Sequence, residues 1–353
     1  MIGKRLRLVR MNSGLSLREL EKRLGKLVTE SALGKYERGE MMPTTKVLTA
    51  LAETLGVTER FLSSQCDIEM ERAAYRPGNA LKKRDEAQVE SMTLSFIERY
   101  LEIEELLNLK NRYWDAPRYC PFPISDLSET ELAANALRNY WQVGKTPISY
   151  LAECFDTHGI KTVSLPLPDS VTGLTYWLRN KNDSLQVPMI IVNETHTGEW
   201  QRLALAEELG YLVLQVENHI DEEIAAERFA GAFLMPVEML WEHIGTNRRQ
   251  LSLGELFELK ALFGTSVQSI TDRCYDVGII NKVTYQRLLD QFEELDWLRT
   301  YNEPLPTPPD HSGRFKRLCL RGVSERLISK TTAVEWLDIT EEQLTEEMEG
   351  IPA

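Results

Sequence analysis

The sequence predicts a mainly α protein with a small β-sheet, an α+β fold, and three observations predict it. Four short stretches of helical apolar spacing crowd the first 65 residues. A single helical pattern then runs for about 25 residues, roughly 37 Å at 1.5 Å per residue. Three extended segments follow, flanked on both sides by pairs of helical patterns. The chain of 353 residues therefore divides into a helical bundle at 1–66, a connector at 67–118, an α+β segment at 119–240 and a helical extension at 241–353.

The bundle comes first. Ile2, Leu6 and Val9 fall at i, i+4 and i+7, and Gly14 breaks the run. Ser16 caps a second helix carrying Leu17, Leu20 and Leu24, which Gly25 ends. Thr29 caps a third, with Leu33 and Tyr36 inward, that stops at Gly39. Pro43 blocks its continuation, and Val47, Leu48, Leu51 and Leu55 make a fourth helix. A tight turn between the second and third helices gives a helix-turn-helix arrangement.

Charge supports a division of labour. The net charge is −13, yet residues 1–65 hold twelve Lys or Arg against seven Asp or Glu. A basic head on an acidic body suits a module that meets phosphate while the rest stays off the duplex. Apolar content of 42% and charged content of 27% fit a folded chain. No apolar run approaches the ~20 residues of a membrane span. The start MIGKRLRLVR has no apolar signal core, so a cytoplasmic protein without a membrane partner is expected. Cys66, Cys120, Cys154, Cys274 and Cys319 form no C-x-x-C pair, which argues for buried small hydrophobes over a disulfide framework or a cysteine zinc site.

The stretch GLSLRELEKRLGKLVTESALGKYERGEMMPTTKVLTALAETLGV resembles the XRE, or lambda-repressor-like, helix-turn-helix family, most specifically at Tyr36–Pro43. The resemblance implies that the third helix enters the major groove, with Glu30, Ser31, Ala32 and Lys35 toward base edges and Arg38 on the same DNA-facing side. Arg18 and Thr29 would hold phosphates. It also implies that Glu37 is a buried partner for Arg10. Glu21 departs from the family, which places a small residue facing the turn, and a re-angling of the two helices would follow.

In the connector, residues 68–84 hold a short extended pattern and then the basic run Lys82, Lys83 and Arg84, either a DNA-backbone contact or plain soluble surface. From Asp85, Val89, Thr93, Phe96, Tyr100, Ile103 and Leu107 follow a 4-3-4-3-4 spacing. That seam fits a homodimer contact or an internal docking face equally well. A dimer would set two heads about one DNA turn, ~34 Å, apart.

In the α+β segment, Ser128 and Glu131 predict a capping box for a helix through Trp141, and Thr146-Pro147 opens another that Gly159 closes. KTVSLPL, LTYWLRN and VPMIIVN are the extended segments. Two more helices follow, one holding RLALAEELGYLVL and one holding DEEIAAERFAGAFL, with Pro236 as the stop. Beyond them Leu251–Leu289 reads as helical. Its SLGELFELKALFG echoes the capped helix at Ser16 but lacks the basic residues to read DNA, so packing is expected. EPLPTPPDHSG reads as a proline-rich loop, Arg314–Leu337 as a helical pair, and the acidic end as a mobile tail.

Arg202–Gly210, R-x-x-x-A-x-E-L-G, and Glu223–Pro236, E-x-x-A-x-R-F-A-G-A-F-L-M-P, resemble the ImmA/IrrE family of metallopeptidase-like domains, and the extension resembles what such regulators carry. Carried across, Glu207, Tyr211 and Glu223 stand at the three metal-ligand positions and Glu208 at the general base. Positions 207 and 211 share a helical face, as two zinc-binding imidazoles must. A phenol, which ordinarily ionises near pH 10, is a poor ligand at neutral pH. Without a metal no water is acidified and Glu208 has nothing to deprotonate. The expectation is a vestigial site holding no metal or cofactor, in which Tyr211 hydrogen-bonds Glu207 or Glu223 and fills the metal's space.

Together the resemblances imply a sequence-specific regulator, a repressor on double-stranded operator DNA. Its inactive peptidase-like domain would bind a ligand or a partner protein, and a toxin-antitoxin or phage-type setting would make the partner a cognate toxin. The competing reading is an active zinc metallopeptidase that cleaves a repressor.

Overall fold

The computed structural model describes residues 2–57, 59–63, 68–73, 83–109, 114–180, 186–298 and 303–350. Five helices make the head: α1 (Ile2–Asn12), α2 (Leu17–Arg23), α3 (Glu30–Glu37), α4 (Thr45–Leu55) and α5 (Glu59–Ser63). Leu6, Leu20, Leu33 and Leu51 are fully buried at its centre. Ser16 accepts the Glu19 amide at 3.2 Å while the Glu19 carboxylate takes the Ser16 amide at 2.7 Å, a reciprocal cap that starts α2. Thr29 accepts the Ala32 amide at 3.2 Å and starts α3. A Cβ at Gly3 would collide with the carbonyls of Tyr36 and Glu37, so only glycine lets α1 lie this close to the end of α3.

Strand β1 (Ile68–Arg72) and the long helix α6 (Lys83–Leu106) follow. The 4-3-4-3-4 seam of α6 is consumed inside the chain. Val89, Thr93, Tyr100, Ile103 and Leu107 are buried, and Phe96 meets Phe315 with ring centroids 5.0 Å apart. A homodimer would need another surface. Helix α1 also docks on α6, where Arg5 pairs with Glu98 at 2.7 Å. Cys66 and Lys82 lie outside the described residues, as do the side chains of Lys83 and Arg84, the run that reads as a DNA-backbone contact or soluble surface.

Next come β2 (Phe122–Ile124), α7 (Glu129–Tyr140), α8 (Leu151–Thr157), β3 (Lys161–Leu165), β4 (Gly173–Asn180), β5 (Gln186–Asn193), α9 (Gly198–Val213), β6 (Leu214–Val216) and α10 (Glu222–Leu234). Four strands form one sheet in the order β1-β4-β5-β3, with β1/β4 and β4/β5 antiparallel and β5/β3 parallel; β2 and β6 form a separate parallel pair. Because side chains alternate along a strand, Ile190 and Val192 join the core that includes α9 and α10, while Val187 and Met189 face α6 across the other side. The extended pattern in the connector is thus part of the body's sheet.

Two helix starts differ from expectation. Ser128 has helical backbone and makes no cap; Glu129 instead accepts the amides of Ser125 and Asp126, and Glu131 is drawn to Arg273 at 2.7 Å. Helix α8 begins at Leu151, not at Pro147, because its first amides, Leu151 and Ala152, donate to the Asp310 carboxylate at 2.8 and 3.1 Å. The cap comes from 158 residues away.

The C-terminal region adds α11 (Val237–Ile244), α12 (Leu253–Phe263), α13 (Val267–Asp276), α14 (Lys282–Glu294), α15 (Arg314–Ser324), α16 (Lys330–Leu337) and α17 (Glu341–Glu349). Leu256, Phe263, Ile270 and Phe292 share the buried core with α9 and α10, so this region packs as one body with the sheet domain. The acidic end is helical, not a mobile tail. Thr340 and Gln343 form a capping box, Leu344 is buried and Lys316 pairs with Glu347. Cys274 and Cys319 are buried and Cys120 and Cys154 partly so; burial pushes the Cys274 thiol up to about 12, which leaves it inert.

Candidate nucleic-acid interface and peptidase-like cleft

Helix α3 presents two faces. Leu33 and Tyr36 are locked into the head's core, while Glu30, Ser31 and Lys35 are exposed and Ala32 half-buried. Arg18 and Thr29 are exposed beside them. The inward anchor is completed by Arg10, whose guanidinium grips both oxygens of Glu37 at 2.6 and 2.9 Å and donates to the Leu15 carbonyl at 2.6 Å. One fork therefore ties α1, the turn before α2 and the end of α3 together. Arg38 lies exposed at the end of α3 with its guanidinium 2.6 Å from Glu40. The hydrogen bond from Arg38 holds the Glu40 carboxyl below its ordinary value.

The second cleft is built on α9, packed across β4 and β5. Glu208 is 3% exposed, and its carboxylate accepts the Thr175 hydroxyl at 2.7 Å. Gly173, on the same strand, makes room for it, since a Cβ there would come within 2.9 Å of the Glu208 side chain. Glu208 thus points into the sheet. Glu207 is half-buried, Tyr211 is buried, and Glu223 is exposed in the first turn of α10, where Asp221 caps its amide at 2.9 Å. Gly210 lets α10 approach, with Ala226 and Phe229 within 3.3 Å of where a Cβ would stand. Three of the five histidines serve elsewhere. His158 stacks on Trp141, His311 meets Ser164, and His219 lies exposed beside Glu217.

Sequence reasoning missed what anchors the other face of α9. Arg202 is buried and donates to the Phe263 carbonyl at 2.9 Å, to Asp310 at 2.7 Å and to the Ile148 carbonyl. Lys260 on α12 is 2% exposed and bridges Glu199 at 2.7 Å and Glu303 at 2.9 Å. Glu303 and Asp310 both lie in the proline-rich loop, which works as a strap across α8, α9 and α12. Arg202 belongs to the motif that carried the resemblance; Asp310 has no local signal at all.

Residues 6–62 match the family described as Helix-turn-helix, and residues 155–275 match the family described as IrrE N-terminal-like domain, a peptidase-type family. The chain fuses an XRE-type helix-turn-helix to an IrrE-like domain. The second match runs from α8 into α13, past residue 240. Comparison with curated proteins and with solved structures gave no match. Among the described residues no helix is long and apolar enough to cross a membrane.

Proposed function

We propose that this chain is a sequence-specific DNA-binding transcriptional regulator, a repressor, whose IrrE-like domain binds a ligand or a partner protein instead of cleaving one. The observation that carries it is the two-faced α3. Its inner residues are fixed by the Arg10–Glu37 fork, and its outer residues stand free to meet a major groove within a segment that matches the helix-turn-helix family. The head reads a double-stranded operator, with Glu30, Ser31, Ala32 and Lys35 toward bases, Arg18 and Thr29 toward phosphates and Arg38 on the same DNA-facing side. A homodimer supplies two heads, and a cognate toxin is a partner of the kind this arrangement serves.

The donor set of the second cleft does not fit a catalytic zinc. Its three positions hold Glu207, a buried phenol at Tyr211 and an exposed Glu223, while the would-be base is turned onto Thr175. Tyr211 takes the space a metal would need.

The test is fluorescence anisotropy with duplexes from upstream of the gene, across a salt series. Nanomolar binding that falls steeply between 50 and 200 mM salt, about 10³-fold or more if six or so phosphates are neutralised, is expected. Affinity that is equal for every sequence and flat in salt would sink the regulator. Glu208→Gln should leave DNA affinity unchanged. Cleavage of casein or a repressor by the wild type, lost in that variant, with about one zinc per chain, would establish the peptidase instead.

A further inference from the structure

The outer edge of β4 is covered by residues that arrive from the link between head and body. In β1, Ile68, Met70 and Arg72 are only half-buried and Glu69 and Glu71 are exposed. Opposite them Tyr176 and Leu178 are 1% and 4% exposed. A strand with so little buried apolar surface is held chiefly by its ladder, and a ladder is a main-chain contact that any extended chain can make.

The side chains of β1 add a recognisable pattern. Ile68 and Met70 pack toward the cluster that holds Leu178 and Met189, and Glu71 pairs with Arg179 at 2.8 Å. The register pairs Glu71 with Trp177 and Glu69 with Arg179. Just beyond the strand, Ala73 donates to the Thr175 carbonyl at 2.9 Å. Antiparallel pairs alternate, so the amides of Glu69 and Glu71 point at β4 as that of Ala73 does. Thr175 is the residue whose hydroxyl holds Glu208. The covering strand therefore leads to the vestigial centre.

We propose that the β4 edge is a strand-addition site for an extended peptide of a partner protein, and that residues 68–72 occupy it in cis until such a peptide displaces them. The preferred peptide carries two apolar residues two positions apart and an acid directly after the second. This rests on the reading of the IrrE-like domain as a partner-binding module. Because β1 lies between the head and α6 in the chain, its release removes one of the ties between head and body and leaves the α1–α6 contact to carry more of the hold, and partner binding is thereby coupled to the placement of the head.

The probe is a fluorescein-labelled peptide of residues 68–73, IEMERA, titrated into the full chain and its Glu71→Pro variant. A tethered strand competes at roughly millimolar effective concentration, so the wild type hides its own site. The variant, lacking the amide and the carboxylate of residue 71, should take the peptide at least ~10-fold tighter. Hydrogen exchange at Trp177 and Arg179 should quicken in the variant and slow again with peptide. Met70→Ala, which leaves the ladder intact, should fall between the two. Equal affinity across the three proteins, or equal binding of a control peptide with proline in place of the glutamate before the arginine, overturns the proposal. DNA affinity on the same preparations keeps the two readings apart. A chain that takes the peptide but no duplex refutes the regulator alone, and one that takes duplex but never the peptide refutes strand addition alone.

Discussion

Helices α2 and α3 in the head and α12 and α13 in the body follow one local grammar. Each pair opens on a reciprocal Ser-to-Glu cap, at Ser16 and Ser252, and turns at a left-handed glycine, Gly25 or Gly264. Each resumes from a hydroxyl cap, Thr29 or Ser266. Their cations have opposite fates. Lys35 stands in solvent and Arg38 meets Glu40 only at the exposed surface, whereas Lys260 and Arg273 are 2% and 5% exposed and locked to carboxylates. Local signals decide that a helix pair forms; where its charges point decides whether the pair meets phosphate or braces a core.

The hardest blow to that contrast falls on the braced pair. Lys260→Ala leaves Glu199 and Glu303 facing each other with their shared cation gone, and should cost about 3–5 kcal/mol in urea unfolding with head-only DNA contacts untouched. In the exposed pair the order inverts. Lys35→Glu should lower operator affinity by about 10- to 100-fold and flatten the salt dependence, while the unfolding midpoint stays put. Unchanged affinity would remove α3 from the interface.

A third test uses pH. Asp272 on α13 accepts the Tyr285 hydroxyl at 2.8 Å, and burial pushes its carboxyl up to about 6 from 3.8. The folded protein thus keeps a proton that the unfolded chain has already released. Asp272 costs stability at neutral pH, and the cost fades as pH falls from about 6 toward 4. Asp272→Asn should remove that slope from the pH profile of unfolding. The smallest effect checks the shared grammar itself. Ser16→Ala and Ser252→Ala should each cost about 1 kcal/mol, in either region alike. A cap worth nothing in one of them would show that tertiary packing, not the local signal, sets that helix start.

What could be read in the sequence follows the same line. The head's periodicities, the caps at Ser16 and Thr29, and the Arg10–Glu37 partnership are contacts within about 27 residues, and they stand as expected. The α9–α10 pair was legible from its motif. Asp310 capping α8 and β1 joining β4 were not, because nothing in five or ten residues announces a partner more than a hundred residues away. The α6 seam was ambiguous for a related reason: a 4-3-4-3-4 stripe states that a face will be covered and is silent on by what. The acidic end misled because charge was weighed over the Thr340–Gln343 cap and a buried Leu344.

The strap bears on how the protein can be divided. Gly198 lies against the carbonyls of Thr307 and Pro308, and Arg202 meets the Asp310 carboxylate in the same loop. A fragment trimmed to residues 155–275 would keep Arg202 and Lys260 but lose Asp310 and Glu303, the loop carboxylates that pair with them. Such a truncation should aggregate where a fragment carried through residue 350 stays in solution, the outcome expected when a catalytic-looking segment borrows its closing charges from a distant loop.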